Sequence, residues 1–187
     1  MLLHDIADYA VAERTNNIPE RALHWAKRAV IDWCATTAPG SVLQPASGLT
    51  QALAEDIGHG KARLFPSGGV ATVRTAAIIN AAASHTVEFD DIFRDAIYHP
   101  STPVVSTALA VAEGENLSGE EFLRAVIVGY EISTRIALVL GLAHYRYWHN
   151  TATIGSFGAA AAAATALGLT RDQTAHALAL VGTMAAG

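Results

Sequence analysis

Residues 118–140 read SGEEFLRAVIVGYEISTRIALVL and carry the clearest helical pattern used to predict the fold class. The hydroxyl of Ser118 can accept a hydrogen bond from the amide of Glu121, while the Glu121 carboxylate reaches back to the Ser118 amide, a pairing typical of helix starts. Apolar and small residues then recur at three- and four-residue spacing, which places them on one face of a helix. The pattern predicts an amphipathic helix over residues 119–140. These recurring residues are Phe122, Val126, Gly129 and Ile132.

Two further capping patterns extend the helical prediction along the chain. Only the segment from Lys61 to Phe65 has a brief extended pattern, and no alternation of strands and helices is visible. We therefore predict an all-α fold, a compact helical bundle, as one helical domain over residues 1–187. The two capping patterns are Asn17 with Glu20 before a helix over residues 19–37, and Thr170 with Gln173 before a helix from residue 171 onward.

Composition excludes several classes of protein. The chain has 187 residues, of which 51% are hydrophobic and 16% charged, so it can bury a core and is not disordered. A net charge of -5 without any basic run argues against nucleic acid as a partner. The single cysteine, Cys34, excludes an intrachain disulfide framework and fits a cytoplasmic location, where we expect it to be a small buried hydrophobic side chain.

The uncharged stretch from Thr151 to Thr170 is long enough to cross a bilayer. It consists mostly of alanine, glycine and threonine, which drive membrane insertion weakly, so we predict a buried helix and no membrane partner. Small residues of this kind also let helices approach closely, in a compact bundle or at a subunit interface. Because the chain carries few charged groups, we expect part of its surface to be covered by another chain or domain.

Charged residues are concentrated between His85 and Pro103, in HTVEFDDIFRDAIYHPSTP. If the helix that begins near Gly69 continues through this segment, His85, Glu88 and Asp91 lie on one of its faces. Repulsion between the two carboxylates would then raise one pKa and leave a proton donor near neutral pH. The segment is therefore a candidate site for acid–base chemistry.

Two histidines precede predicted helix starts. Thr102 followed by Pro103 predicts an N-cap and first helical residue, which puts His99 just ahead of a helix N-terminus. His149 stands in the same way before the helix rich in small residues. Because helix N-termini favour anions, these two imidazoles could hold a carboxylate-bearing substrate and exchange protons with it.

Structural explanations compete with these functional ones. The carboxylates between residues 88 and 95 could equally be solvated or cap a neighbouring helix. His85 and Glu88 lack a third metal ligand at diagnostic spacing, so we predict no metal and no cofactor. Five further histidines are expected to be ordinary surface or hydrogen-bonded side chains: His4, His24, His59, His144 and His176.

Four motifs in the same order, HTVEFDD, YHPST, GYEISTRI and YWHNTATIGSFGAAAAAATALGL, resemble the MmgE/PrpD family over nearly the whole chain. The resemblance implies a metal-independent lyase that acts on small di- or tricarboxylates, similar to 2-methylcitrate dehydratase. It also implies a homodimer and a large helical domain with a smaller lid. By motif it implies catalytic roles for Glu88, His99 and His149. We predict Asp91 and Arg94 as groups that bind and position the substrate.

The chain departs from the family pattern in ways that affect the expected reaction. Glu88 stands where the family has aspartate, and Ile92 where members similar to decarboxylases can carry a hydroxyl residue, which argues against decarboxylation. The resemblance implies later helices, a lysine-bearing segment and a lid that residues 1–187 do not include, so we expect little activity from this chain alone. The alternatives are an epimerase or decarboxylase of the same family, or a non-catalytic helical dimerisation module.

Overall fold

The computed structural model describes residues 2–185, which form eight α-helices and a small antiparallel sheet of two strands. A single 3-10 turn, Ala54–Asp56, precedes the first strand. The helices are α1 (Leu2–Ala12), α2 (Glu20–Gly40), α3 (Ala46–Ala52), α4 (Val73–His85), α5 (Ser101–Glu115), α6 (Gly119–Tyr145), α7 (Asn150–Ala166) and α8 (Arg171–Met184), and the strands are β1 (Ile57–Leu64) and β2 (Gly69–Ala71).

The sheet corrects the expectation of a purely helical fold. The extended pattern at residues 61–65 belongs to β1, which pairs with β2. Gly69 therefore lies in a strand, and α4 begins after Thr72, whose hydroxyl accepts a hydrogen bond from the amide of Thr75. The fold is mostly helical, and the sheet packs its buried residues Ala62 and Leu64 against α4 and α5.

Two of the three predicted capping pairs are present. Ser118 with Glu121 and Thr170 with Gln173 each form both reciprocal hydrogen bonds. The prediction for Asn17 is wrong, because α2 begins at Glu20 with Pro19 as its N-cap and without a side-chain cap. A side chain two residues ahead of the N-cap does not occupy the position from which the first free amides are reached.

The core lies where α2, α5, α6 and α7 meet. Trp33 of α2 is fully buried, and its indole nitrogen donates to the hydroxyl of Ser106 at 2.9 Å, which satisfies a polar group that burial would otherwise penalise. Close packing of α6 on α7 depends on Gly129 and Gly158, because a Cβ at Gly129 would lie 3.0 Å from the carbonyl oxygen of Gly158. The predicted close approach through small residues is confirmed.

The helix α6 continues past Leu140, where the predicted helix ends, and its helical backbone angles are interrupted at Gly141. Gly141 has φ 55° and ψ -159°, a conformation that glycine adopts without steric cost. By length and composition α6 could cross a membrane, but central helices of folded domains meet the same criteria. The predicted lack of a membrane partner remains a prediction. The stretch weighed as a membrane span from sequence forms α7, many of whose residues are buried.

Candidate active site

The segment between α4 and α5 carries the concentration of charged residues and is not helical. α4 ends at His85, and Glu88 has a left-handed φ of 56°. A tight turn follows, in which Phe93 and Tyr98 exchange backbone hydrogen bonds of 2.6 and 3.3 Å. The prediction that His85, Glu88 and Asp91 share one helix face is therefore wrong, because the chain leaves the helix before it reaches either carboxylate.

Three imidazoles meet at the ends of three different helices. His85 is the last residue of α4, His99 lies two residues before α5, and His149 is the N-cap of α7. The ring of His85 lies 4.8 Å from that of His99 and 5.8 Å from that of His149, measured between centroids. The fold therefore brings the two predicted histidines together, with His85 between them.

Asp90 is the buried partner of this cluster. Its side chain is fully shielded, and its Oδ2 atom lies 3.0 Å from Nδ1 of His85. The hydroxyl of Thr102 donates to the same oxygen at 3.0 Å. Nδ1 of His99 lies 3.3 Å from it, within ion-pair distance but not aligned as a hydrogen bond. Sequence reasoning treated Asp90 as one undistinguished carboxylate among four, and no periodic signal marked it because it lies in a loop.

The cluster shifts three pKa values in directions that differ. Burial opposes ionisation of Asp90, but the protons and charges of His85 and His99 outweigh it and hold the pKa of Asp90 well below its ordinary value. The Asp90 carboxylate raises the pKa of His99, against the effect of burial. Burial lowers the pKa of His149, and the nearby charges of His85 and His99 add to this. The site therefore favours the charged form of His99 and the neutral form of His149.

A cleft of about 460 Å³ opens beside the cluster. Its size falls in the range of small-molecule sites. The rest of the wall comes from small or apolar residues of α4, α5, α7 and α8, and the polar lining residues are His85, Thr102, Thr107, His149, Thr151 and Ser156. His149, the N-cap of α7, makes no side-chain capping bond, and the amide of Ala152 donates to its carbonyl at 3.1 Å. The amides of Asn150 and Thr151 are therefore those that can donate to another acceptor. An anion in this cleft would lie beside two imidazoles and a helix N-terminus.

The start of α5 differs from the prediction. The helix begins at Ser101, and Thr102 lies inside its first turn, where the hydroxyl bonds to Asp90 and does not cap the helix. The amide of Ser101 donates to Oδ1 of Asp91 at 3.0 Å. A carboxylate of this chain thus already occupies the anion position that sequence reasoning assigned to a substrate beside His99.

The three remaining predicted site residues lie apart from the cleft. Glu88 is on the surface, with a side chain that is 73% exposed and an oxygen 3.9 Å from Nε2 of His85. Asp91 is turned toward α6, where it accepts a hydrogen bond of 2.8 Å from the hydroxyl of Tyr130. Burial raises the pKa of Asp91. Arg94 is exposed on the turn.

The side chains of His85, Asp90 and His99 could also hold a metal ion, because their ligand atoms lie within 4.8 Å of one another. Both Nδ1 atoms approach the same carboxylate oxygen at 3.0 and 3.3 Å, which suits imidazole–carboxylate pairing as well. The predicted lack of a metal and of a cofactor stays a prediction.

Comparison with known proteins gives consistent matches. The family model of the MmgE/PrpD N-terminal domain matches residues 4–187. A cis-aconitate decarboxylase-like protein of Aspergillus oryzae is 27% identical over 98% of this chain and 40% of its own length. The cis-aconitate decarboxylase of Aspergillus terreus is 29% identical over 98% of this chain and 39% of its own length. The human cis-aconitate decarboxylase is 34% identical over 56% of this chain and 23% of its own length. The chain thus spans about 40% of the length of the first two relatives.

Proposed function

Because this chain belongs to the MmgE/PrpD family, we propose that it forms the helical part of a lyase that acts on a small di- or tricarboxylate. The observation that carries the proposal is the cleft beside His85 and His149, with His99 and Asp90 packed against its wall. Imidazoles with opposite protonation preferences are what a reaction needs when one proton is removed and another is delivered.

Each of two histidines has a role in this proposal. His149, whose pKa is lowered, is the base that removes a proton from the carbon next to a substrate carboxylate. His99, whose pKa is raised by Asp90, is the acid. In a dehydration, the C–H electron pair forms the new double bond as the C–O bond breaks, and the imidazolium proton leaves with the hydroxyl as water. The substrate carboxylates bind at the N-terminus of α7.

Glu88 is a third candidate acid–base group by its place in the family motif. Its exposed side chain beside Nε2 of His85 puts it at the rim of the cluster. The first two relatives are longer than this chain, and in the proposal a segment that corresponds to their remaining length supplies the other wall of the site. Asp91 serves the proposal as a residue that positions the segment before α5, since it holds the first amide of that helix. Arg94, exposed on the turn, stays a predicted substrate-positioning residue.

Two reactions fit this class. Ile92 supports dehydration of a substrate similar to 2-methylcitrate. Decarboxylase-like members can carry a hydroxyl residue at this position, whereas Ile92 has none, and it is 53% exposed. Decarboxylation is supported by the names of the relatives. In that reaction the C–C bond to one carboxylate breaks, carbon dioxide leaves, and the imidazolium of His99 protonates the carbon that keeps the electron pair.

The experiment that tests the proposal uses the complete protein with 2-methylcitrate, cis-aconitate and a chiral iminodicarboxylate in deuterated water. An alkene product without gas identifies the dehydratase, and release of carbon dioxide identifies the decarboxylase. Exchange of the α-hydrogen with loss of optical activity identifies the epimerase. Absence of turnover and of exchange with all three compounds would contradict an enzymatic role on these carboxylates.

A non-catalytic dimerisation module is the second candidate function, supported by an exposed apolar patch on α6. Three large apolar side chains on one short stretch of α6 are mostly exposed, and such a group is unusual at a protein surface. They are Leu138 (59%), Val139 (86%) and Leu142 (58%). A second copy of the chain would cover them. Analytical ultracentrifugation of the complete protein and of a variant with Val139→Glu tests this, since the dimer should weaken in the variant. A monomer at all concentrations would contradict it.

A further inference from the structure

Three side chains from separate parts of the fold approach the same oxygen atom of Asp90. Its Oδ2 faces His85 at the end of α4, Thr102 in the first turn of α5, and His99 in the segment between these helices. The Thr102 hydroxyl also lies 3.0 Å from that of Ser84, so the contact continues into α4. Ser84 and Thr102 are buried, which restricts water from replacing either partner.

The backbone directs Asp90 inward. Glu88 adopts a left-handed φ of 56°, and the chain turns there so that the Glu88 side chain points to solvent while Asp90 is fully shielded. The Asp90 side chain therefore cannot touch a substrate in the cleft. Any effect that it has on a reaction must act through the imidazoles that it contacts.

A carboxylate accepts hydrogen bonds and donates none when it is ionised, so an imidazole nitrogen that faces it must carry a proton. For His85 this nitrogen is Nδ1, at 3.0 Å. The other nitrogen, Nε2, then exchanges protons with its surroundings. For His99, the Nδ1 atom is buried against Asp90, so the part of the ring that is exposed does not include this nitrogen.

We propose that Asp90 is a positioning residue that fixes the Nδ1–H form and the ring orientation of His85 and His99, and that His85 is a third imidazole of the cleft. The proposal rests on the proposed function for its catalytic consequence. His85 lines the cleft and stacks on His149 with 18° between the ring planes, so it links the proposed acid to the proposed base. The family motifs assigned no role to Asp90 or His85, and the sequence pattern placed His85 only on a predicted helix face with Glu88 and Asp91 or in an alternative metal site.

His85, His99 and Thr102 face Asp90 directly, and Glu88 and His149 join the cluster through His85. His85 belongs to α4, His99 and Glu88 to the segment that follows, Thr102 to α5, and His149 reaches the cluster from α7. Of these groups, Glu88 is the one other carboxylate, and it is exposed to solvent. The negative charge buried beneath the imidazoles is therefore that of Asp90.

The first test measures protonation without any substrate. Histidine is labelled with nitrogen-15 in the complete protein, and multiple-bond proton–nitrogen NMR spectra distinguish the Nδ1–H from the Nε2–H form of each ring. His85 should show the Nδ1–H form when neutral, and His99 should remain doubly protonated above the ordinary histidine pKa of about 6.5. A neutral His85 that is predominantly in the Nε2–H form would overturn the proposal, and this measurement needs no variant.

The second test compares Asp90→Asn with Asp95→Asn, which removes an exposed carboxylate from the same segment. Asp90→Asn should lower kcat by at least about tenfold, because the imidazoles lose the charge that orients them. The change in KM should be smaller, and the alkaline limb of the pH profile should move to lower pH. Asp95→Asn should change none of these. Equal histidine spectra and pH profiles in the two variants would overturn the positioning role.

The two proposals fail in distinguishable ways. Absence of turnover in the unaltered protein contradicts the proposed function and leaves the NMR prediction for His85 and His99 intact. Normal turnover together with the wrong form of His85 contradicts the role of Asp90 alone. If Asp90→Asn does not fold, Thr102→Val serves as the second variant, since it removes one donor to Oδ2 and keeps the side-chain shape. It should lower kcat less than loss of the carboxylate would, and an unaltered pH profile and unaltered histidine spectra in Thr102→Val would count against the network.

Discussion

The imidazole of His149 stacks on that of His85 with 5.8 Å between the ring centroids and 18° between their planes. The two residues come from the N-terminus of α7 and the C-terminus of α4, and they form one wall of the cleft. Burial of the His149 ring and the nearby charges of His85 and His99 lower the pKa of His149, so this wall of the cleft favours a neutral imidazole at the start of α7.

Replacement of His99 by alanine in the complete protein should lower turnover at least about a hundredfold, the scale expected for loss of a general acid or base. His176→Ala is the matched control, because His176 is exposed on α8. Steady-state kinetics with the preferred carboxylate measure both. Near-normal turnover of His99→Ala would reject its role in proton transfer.

Replacement of His149 by asparagine should cause a loss of similar size, at least about a hundredfold. Asparagine can still serve as N-cap for α7, so the helix should keep its start and the loss should reflect the missing base. Circular dichroism checks that the fold is retained. If the fraction of turnover that is lost equals the fraction of helix content that is lost, the effect is structural and the assignment of the base is wrong.

The pH dependence of kcat/KM should be bell-shaped. The pKa of His149 lies below the ordinary value of about 6.5, so the base becomes available as the pH rises through a lower value. The pKa of His99 lies above that value, so the acid is lost only as the pH rises further. His149→Asn should remove the acid limb from the residual activity. An acid limb centred above about 6.5 would contradict the assignment.

Substitution of Gly158 by alanine should destabilise the protein by about 1–3 kcal/mol, the usual cost of overpacking. A Cβ at this position would lie 2.8 Å from Cγ2 of Val104 and 3.0 Å from Cβ of Ser133. Gly119→Ala is the control, because nothing lies within 4 Å of a Cβ there and alanine favours a helix. Urea unfolding compares the two. Equal stability would show that α6 and α7 can move apart without cost.

Substitution of Ser118 by alanine should cost about 1 kcal/mol, because it removes a reciprocal cap at the start of α6. Asn17→Ala removes a residue of the same capping type from a pattern that forms no cap, and it should change stability little. Thermal or urea unfolding of both variants measures the difference. A loss for Asn17→Ala as large as that for Ser118→Ala would mean that Asn17 stabilises the start of α2 in solution.

Local sequence signals identified most helices because their causes are local. The capping pairs at Ser118 and Thr170 involve residues three apart, and the apolar face of α6 repeats within a single helix. The same reasoning failed between residues 86 and 100. There the direction of the chain depends on the left-handed backbone of Glu88 and on the turn that buries Tyr98. No short sequence pattern predicts either feature.

Residue type and short-range spacing were enough to predict a mostly helical chain, the family motifs, and His99 and His149 as candidate site residues beside helix starts. The grouping of His85 with these histidines, the place of Asp90 beneath them and the bond from Asp91 to the start of α5 arise only when the chain is folded. These relationships depend on where α4, α5 and α7 end in space, and burial of distant side chains against one another sets those positions.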